Sequence, residues 1–388
     1  AYTVIKPTLS AADIKAIENG YLKPAAKLLL HRPAGANWQM WHNSGLVALG
    51  VALENDSIID VAINKNIYGY HFLMKKHKNS DGWINEGSPH YHYYPLEALL
   101  FTANAVKCRG IKLFDRDLHD MFVEPVKGTY PDLSFPAHSD GWYGANLLSQ
   151  SALYEIADAR YNDPLLKRVL ELTYAQKKRL DPEALLNNQT INASDEKMIQ
   201  QSYSFGTSGF CLLRSDARTV VLKFGGEGIG HGHPDKLSIT IHDGKNELVS
   251  DFGTSGYGVP DYLKWYKRSL SHNTVTVDAK DQKRSVGKLL KFIPRPDGGY
   301  AEAETVTAYP GVDMKRSLDL KGNQLQDVYT CTSDSSHLYE YVILFNEKPV
   351  LEGQPVATAL TGSEVHERIH NTYSYPYRPG FTLSLIHI

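Results

Sequence analysis

The sequence predicts an α+β protein with more than one domain, in which helices come first and an antiparallel β-sandwich follows. Its 388 residues exceed what one typical domain holds. Through the first half of the chain, apolar residues recur at the spacing of amphipathic helices. From about Ser202 onward, apolar and polar residues alternate instead, which is the period of half-buried strands.

The helical half is predicted to contain helices separated by short breaks. Breaks such as Asn79–Gly82 and Asn162–Pro164 carry the Gly, Pro and Asp residues that end or begin helices. Helix pairs joined in this way indicate an α/α toroid or a solenoid, although no strict sequence repeat is present. The predicted helices are Ala11–Leu30, Gly45–Glu54, Ile58–Lys76, Leu96–Val106, Leu147–Ala159 and Pro164–Lys178.

The second half is predicted to form strands separated by turns such as Asp243-Gly244. Many antiparallel strands in succession indicate a sandwich. The predicted strands are Thr219–Phe224, Leu237–Ile241, Asn273–Val277 and Tyr339–Phe345.

These patterns divide the chain into a helical domain at residues 1–180, a polar linker at 181–200 and a β-sandwich domain at 201–388. Residues 385–388 form a strand-like run that no turn follows. We therefore expect the sandwich to be truncated at its C-terminus and these last residues to be non-native.

Composition excludes several classes of protein. The formal net charge is −2, whereas a general nucleic-acid binder would carry a basic face. No apolar run is long enough to span a membrane, and no signal peptide is visible. The chain starts at Ala1 without Met, so we expect a processed or trimmed N-terminus. Three cysteines, Cys108, Cys211 and Cys331, follow no metal-binding spacing and exclude a disulfide scaffold.

The densest chemical signal is the segment 86–95, in which two His and three Tyr follow a Gly-Ser-Pro turn. Pro89 suits a helix start, which would place Tyr91 and Tyr94 on one face. Aromatic packing inside a helical bundle is the alternative. The interleaved histidines favour a wet cleft, with substrate contacts from His90, His92 and Tyr94.

A second signal combines tryptophan with amides in the segment 37–43. Aromatic faces pack on pyranose rings and amides bond hydroxyl groups, so this segment indicates a sugar platform. The alternative is a partly buried helix start with Asn37 as its cap. The candidate substrate contacts are Trp38, Gln39 and Trp41, together with Trp142 from a later Asp-Gly-Trp-Tyr run.

A third signal lies in the strand half, where glycines flank two histidines in the segment 228–236. His233, with Asp251 and His272 from later strand ends, could supply the imidazole and carboxylate ligands that zinc accepts. The alternative is that each His is a hydrogen-bonded loop residue.

Together, these segments resemble the heparinase II/III-like superfamily of polysaccharide lyases, which includes exo-acting oligoalginate lyases and heparin and heparan sulfate lyases. The resemblance runs from Asn37 to about Phe345. Its most specific parts are the stretches 88–96, 230–237, 251–253 and 272–275. It implies an incomplete α/α toroid followed by an antiparallel β-sandwich, in a secreted or periplasmic bacterial enzyme.

The resemblance also implies roles for individual residues. Tyr91 matches the catalytic tyrosine, Asn37 the residue that neutralises the uronate carboxylate, and His231 the histidine that lines the cleft. The structural zinc ligands of some members match His233, Asp251 and His272. Trp38 departs from the pattern, because some members have His there, and this puts the transfer of any one member's substrate in doubt.

The reaction would be β-elimination, in which the C5 proton of a uronic acid is removed and the 4-O-linked sugar leaves. Asn37 would stabilise the charge that develops on the carboxylate. Tyr91 can protonate the leaving oxygen, and the base is either Tyr91 itself or His231. Zinc would hold loops of the sandwich, since elimination consumes no water, and no organic cofactor is expected.

Two other functions remain open from the sequence. A glycoside hydrolase would need two opposed carboxylates, for which Glu86 and Asp140 are the candidates. A non-catalytic sugar-binding protein would use the same aromatic residues without turnover. The expected partner is an anionic polysaccharide or oligosaccharide substrate, with no nucleic acid and no membrane insertion.

An anionic substrate needs cations, and the segment 262–268 supplies Lys264, Lys267 and Arg268 among aromatic residues. We expect Arg268 to pair with the substrate. A solvated surface run is the alternative. The two histidines beside Tyr91 add possible donors for sulfate oxygens, which favours a sulfated glycosaminoglycan over alginate.

Overall fold

A computed structural model describes residues 2–187, 190–191, 198, 201–226, 230–349, 356–357 and 373–374. The chain divides into two compact units. The helical unit contains residues 1–85, 91–124 and 150–194, and the sheet unit contains residues 86–90, 125–149 and 195–388. The sheet unit thus includes two segments from the first half of the chain, and the domain boundaries drawn from the sequence stay a prediction.

The helices of the first half mostly begin and end at the expected polar breaks. At the predicted break 162–164, Asn162 adopts the left-handed conformation and Asp163 caps the next helix through the Leu165 N–H at 2.7 Å. The α-helices are α1 Tyr2–Ile5, α2 Ala11–Ile17, α3 Lys23–His31, α4 Ala36–Ala52, α5 Asp56–Asn64, α6 Tyr70–His77, α7 Pro89–Val106, α8 Arg116–Val126, α9 Ser151–Tyr161, α10 Pro164–Gln176 and α11 Pro182–Asn187.

The helix predictions differ from the structure in several places. Helices α4 and α7 begin earlier than predicted, and α8 was not predicted. The predicted helix Ile58–Lys76 is two helices, because the chain turns sharply at Gly69, where a Cβ atom would lie 2.6 Å from the Ile63 carbonyl oxygen. A π-helical turn, Glu18–Leu22, joins α2 to α3. Helix α11 lies inside the predicted linker 181–200, most of whose remaining residues lie outside the described part of the chain.

The sheet unit is built from antiparallel strands. Within the described residues, nine strands form one sheet with the order β10-β9-β8-β2-β3-β4-β5, in which β1 also pairs with β2 and β7 with β8. Strands β6 and β11 form a separate pair. The strands are β1 Tyr203–Phe205, β2 Phe210–Arg214, β3 Thr219–Lys223, β4 Ser238–His242, β5 Glu247–Val249, β6 Val275–Val277, β7 Lys288–Arg295, β8 Gly298–Tyr309, β9 Val312–Lys321, β10 Gln324–Ser333, β11 Tyr339–Tyr341, β12 Val356–Ala357 and β13 Tyr373–Ser374.

Buried apolar side chains from β2, β3, β4, β5, β6, β8 and β9 form one core of the sheet unit. The predicted turn joins β4 to β5, where Gly244 has φ +91° and Asp243 accepts hydrogen bonds from two backbone N–H groups. The strand-like run 385–388 lies outside the described residues. In the part of the chain that is described, no helix is long and apolar enough to cross a membrane.

Two buried side chains fasten the loops at the end of this core. Arg316 on β9 donates to the carbonyl oxygens of Leu237 and Asn273, both at 2.6 Å. The Asn273 amide donates to the carbonyl oxygens of Ile239 and Ser250, at 2.8 and 2.9 Å. Because Asn273 follows His272 and Ser250 precedes Asp251, these bonds fix two of the loops that carry predicted site residues.

Candidate active site and metal centre

Polar side chains of the sheet unit converge on His231, which lies in the connection between β3 and β4. Its Nδ1 atom lies 2.9 Å from Asp140 Oδ2, and its Nε2 atom lies 3.5 Å from Glu86 Oε2. Both carboxyl groups are buried, whereas the His231 side chain is 18% exposed. The ring is therefore held between two acidic groups while part of it stays accessible.

Asp140 is the centre of this network. Its Oδ1 atom lies 2.9 Å from His233 Nε2. Its Oδ2 atom accepts hydrogen bonds from the hydroxyl groups of Tyr262 and Tyr257, at 2.9 and 3.2 Å, and lies 3.7 Å from the Lys267 ammonium group. The carboxylate is thus surrounded by donors and positive charge.

These neighbours keep Asp140 ionised. Burial by itself would raise the pKa of its carboxyl group, but hydrogen bonds from His231 and His233 and the charge of Lys267 lower it, and the resulting pKa is far below the usual range. A glycosidase instead needs one carboxylic acid with a raised pKa, opposed to a second carboxylate across the substrate. The low pKa of Asp140 makes it unsuited to be that acid, which argues against the hydrolase alternative.

The three predicted zinc ligands lie together in the interior of the sheet unit. His233, Asp251 and His272 are all buried. The two imidazole rings are 5.2 Å apart, and His272 Nδ1 lies 2.9 Å from Asp251 Oδ2. Among the described residues, neither His233 Nδ1 nor His272 Nε2 has a hydrogen-bond partner, although both atoms are buried. Unpartnered buried nitrogens are costly, and imidazole nitrogen is a ligand that zinc accepts.

By distance alone, the described residues that group closely enough to hold a metal ion are Asp251, His272 and Asp235, without His233. Asp235 is therefore a competing ligand. One of its carboxylate oxygens lies within 4.8 Å of ligand atoms of Asp251 and His272. However, Asp235 is paired with two buried ammonium groups, from Lys223 and, at 2.9 Å, from Lys236. A carboxylate neutralised by two cations attracts a metal ion weakly, so the unpartnered nitrogen of His233 makes it the better candidate.

Helix α7 carries the predicted catalytic tyrosine in the helical unit. Tyr91 and Tyr94 are both half-buried, whereas the two residues between them, His92 and Tyr93, are buried. The more open residues therefore share the face that their spacing predicted. The ring of Tyr94 contacts that of Trp41, with 5.5 Å between the centroids.

The structure argues against the predicted substrate contact of His92. Its side chain is fully buried, its Nδ1 accepts the N–H of Ile84 at 3.2 Å, and its Nε2 lies 2.8 Å from the carbonyl oxygen of Met121. Burial lowers the pKa of this imidazole to about 4, so it is neutral in the core. On a helix, the residue after Tyr91 points in a different direction, towards the bundle interior.

The segment 37–43 lies in helix α4. Gly35 occupies the N-cap position and Asn37 lies inside the helix, buried, so the reading of Asn37 as a cap is wrong. Gln39 accepts the Ala34 N–H at 2.8 Å and donates to Asn43 at 2.9 Å. Because Gln39 is buried and holds the start of the helix, the structure argues against its predicted contact with substrate.

The predicted aromatic contacts differ in exposure. Trp38 is 65% exposed, and Trp142 in the sheet unit is 43% exposed. The Trp142 ring lies edge-on to His90, with 6.2 Å between centroids, and passes so close to Gly256 that a Cβ there would come within 2.9 Å of it. Trp38 and Trp142 therefore offer exposed ring surface, while Trp41 packs against α7.

The cations of the segment 262–268 also differ. Arg268, which was predicted to bind substrate, forms an ion pair with Asp281 at 2.6 Å. Its guanidinium group is therefore already engaged within the protein. Its neighbour Lys267 instead lines a cavity of about 370 Å³. The remaining lining residues are Gly230, Gly232, Pro234, Asp281, Gln282 and Arg284.

Nothing in the sequence linked Asp140 and Tyr257 to His231, or Tyr262 to Asp140. Asp140 and His231 are 91 positions apart, and the two tyrosines come later still. Neither periodicity nor a local motif reports contacts between loops so distant in the chain. The Asp-Gly-Trp-Tyr run around Asp140 was the nearest available signal.

Two family models match the chain. Residues 200–351 match the family described as heparinase II/III-like, C-terminal, and residues 5–122 match the family described as alginate lyase. An alginate lyase of Stenotrophomonas maltophilia is 26% identical over 91% of this chain and 54% of its own length. A heparin-sulfate lyase of Bacteroides stercoris is 25% identical over 62% of this chain and 35% of its own length.

The fold agrees with these matches. The crystal structure of heparan sulfate lyase from Pedobacter heparinus has a TM-score of 0.64 at 16% identity, covering 86% of this chain and 51% of that one. The predicted fold class, helices followed by an antiparallel β-sandwich, is confirmed. The chain spans about half the length of the curated relatives that it matches over most of its own length.

Proposed function

We propose that this chain is a heparinase II/III-like polysaccharide lyase, on the support of its two family-model matches and of its lyase relatives. Its substrate would be a uronic-acid-containing polysaccharide or oligosaccharide, cleaved by β-elimination to leave an unsaturated uronate end. The alginate and heparin-sulfate lyases among its relatives support this reaction class.

The observation that carries the proposal is the environment of His231. A partly exposed imidazole, fixed by an ionised carboxylate and lying 2.9 Å from the Tyr257 hydroxyl group, can accept or relay a proton. Hydrolysis would require an acid and a base on opposite sides of the sugar, which Asp140 and Glu86 do not supply. A protein that only bound sugar would not need this buried network.

The other two catalytic roles belong to the helical unit. Tyr91 would protonate the leaving oxygen, and Asn37 would hydrogen-bond the uronate carboxylate as charge develops on it. Whether the base is Tyr91 or His231 depends on whether proton and leaving group lie on one face of the sugar or on opposite faces. Trp38 and Trp142, with exposed rings, would pack against neighbouring sugars.

We propose alginate or its oligosaccharides as the substrate, in place of the sulfated glycosaminoglycan favoured by the sequence. That preference rested on two histidines beside Tyr91 as donors for sulfate. One of them, His92, is buried in the core and hydrogen-bonded there, so it does not reach a substrate. The match of residues 5–122 to the alginate lyase family, and the alginate lyase matched over 91% of the chain, support the change.

We further propose that His233, Asp251 and His272 hold a structural zinc ion. The support is their burial and the two imidazole nitrogens that lack partners among the described residues. When bound, zinc would cross-link the loops next to β4, β5 and β6. Because a polymer of this charge does not enter cells unaided, we propose a periplasmic or secreted location.

A single assay separates elimination from hydrolysis. The full chain is incubated with alginate oligosaccharides, and products are followed by the ultraviolet absorbance of the unsaturated uronate and by mass spectrometry. We expect absorbing products that are lighter by one water than hydrolysis products. Saturated products would replace the lyase with a hydrolase, and binding of alginate, heparin and heparan sulfate without any cleavage would favour a sugar-binding protein.

A further inference from the structure

Asp140 contacts two histidines that the proposed function uses for different purposes. We infer that Asp140 is a positioning residue that fixes a ring nitrogen of both His231 and His233, so that metal binding and the orientation of the cleft histidine depend on each other. The catalytic role of His231 rests on the proposed function, but the coupling can be measured in the protein without substrate.

The two oxygen atoms of the Asp140 carboxylate face two different histidines. Oδ1 faces His233 Nε2 and Oδ2 faces His231 Nδ1, each at 2.9 Å, and the side chain is fully buried. Since every partner of a carboxylate must be a donor, each histidine turns an N–H group towards Asp140. One carboxylate thereby fixes a different nitrogen on each ring.

The backbone prevents this carboxylate from turning away. The Asp140 N–H donates to the His231 carbonyl oxygen at 3.0 Å, and the Thr254 N–H donates to the Gly141 carbonyl oxygen at 3.1 Å. Gly253, with φ +59°, lets the chain pass so close to Gly141 that any side chain there would collide with its carbonyl oxygen. Asp140 thus sits on a loop that is fastened on both sides.

The coupling follows from the second ring nitrogen of each histidine, the one that does not face Asp140. With Nε2–H directed at Asp140, His233 keeps Nδ1 for another partner; this atom is buried and has no partner among the described residues, and its ring lies 5.2 Å from that of His272. Carboxylate groups that orient a metal-binding histidine typically contribute 10–100-fold, as an order-of-magnitude estimate, to metal affinity. Because both histidines bind the same carboxylate, a metal ion that changes the Asp140–His233 hydrogen bond also changes the Asp140–His231 hydrogen bond.

The first measurement uses Asp140→Asn in the full chain without substrate. Asparagine has the same shape, but its amide also donates hydrogen bonds, so it no longer requires an N–H from each ring. We expect zinc affinity, measured by competition with a chromogenic chelator, to fall about 10–100-fold. Asp158→Asn removes another buried carboxylate, in α9, and should leave zinc affinity unchanged.

The second measurement reads the His231 ring directly. In ¹⁵N-histidine-labelled protein, the His231 signals are assigned by their loss in His231→Ala, and Nδ1 is expected to carry a proton in the wild type. Asp140→Asn should abolish that preference. Chelating zinc from the wild type should shift the same signals, and added zinc should restore them.

The outcomes separate this inference from the others. Unchanged zinc affinity in Asp140→Asn, or His231 signals that ignore zinc removal, would overturn the coupling, and so would a wild-type protein that binds no zinc. If Asp140→Asn fails to fold, zinc removal from the wild type decides alone. Absence of elimination activity would overturn the proposed lyase and leave both measurements valid.

Discussion

One hydroxyl group carries most of the chemistry assigned to the helical unit, because Tyr91 would donate the proton that the leaving oxygen needs. Tyr91→Phe should preserve the fold and lower kcat by at least about 100-fold, the usual scale for a lost general acid or base. The matched control is Tyr94→Phe, on the same face of α7, which should raise KM more than it lowers kcat. Near-normal elimination by folded Tyr91→Phe would contradict the assignment.

Two adjacent cations should have different functions. Lys267 lines the cavity near the His231 loop and lies 3.7 Å from Asp140, whereas Arg268 forms the closer pair, at 2.6 Å from Asp281. Lys267→Met should weaken binding of uronate oligosaccharides about 5-fold at low salt, with the loss shrinking as salt screens the contact. Arg268→Met should lower the free energy of unfolding by about 0.2–1 kcal/mol with little effect on binding. Calorimetric titration at two salt concentrations tests both, and a larger binding loss for Arg268→Met would restore the sequence prediction.

At the scale of loops and strands, zinc should act as a cross-link. His233→Ala should lose the metal and lower Tm by several degrees, because metal binding is coupled to folding. His231→Ala is the matched control, two residues away on the same loop: it should keep zinc and lose elimination activity. Elemental analysis and thermal melts measure these effects. Wild-type protein purified without chelators that contains no zinc would refute the metal site and leave the lyase intact.

Strand β5 carries a buried acid that makes stability depend on pH. Desolvation raises the pKa of Glu247 to about 7; its Oε2 accepts from Ser250, while its Oε1 is buried without a partner among the described residues. Because the folded pKa exceeds the unfolded value, this residue favours folding below about pH 4 and loses that contribution as pH rises through about 7.

Glu247→Gln should therefore stabilise the protein above neutral pH, by on the order of 1–2 kcal/mol after allowance for its partial exposure. It should also flatten the fall in Tm between acidic and neutral pH. The exposed Glu347→Gln provides the control, with no change in that slope expected. Denaturant unfolding at a series of pH values decides the matter, and an unchanged slope in Glu247→Gln would count against a buried titrating acid.

The whole molecule shows which levels of structure the sequence could predict. The change of period near Ser202 predicted the fold class, because one buried face per element determines periodicity. It could not separate α5 from α6, since the break depends on close packing around Gly69. The loop motif at His231 was visible, but Asp140 was not linked to it, because contacts between distant loops leave no periodic signal.

Substrate choice also belongs to the whole molecule. With a net charge of −2, the protein offers no long-range attraction to polyanions, so the choice depends on local contacts. Heparin and heparan sulfate carry sulfate groups that need added donors, and one of the two expected histidines, His92, is sealed in the core. Alginate needs only carboxylate recognition and ring stacking. We therefore expect unsaturated products from alginate oligosaccharides at rates at least about 10-fold above those from either sulfated polymer. Faster elimination on heparin or heparan sulfate would reverse the substrate and leave the roles of Tyr91 and His231 unchanged.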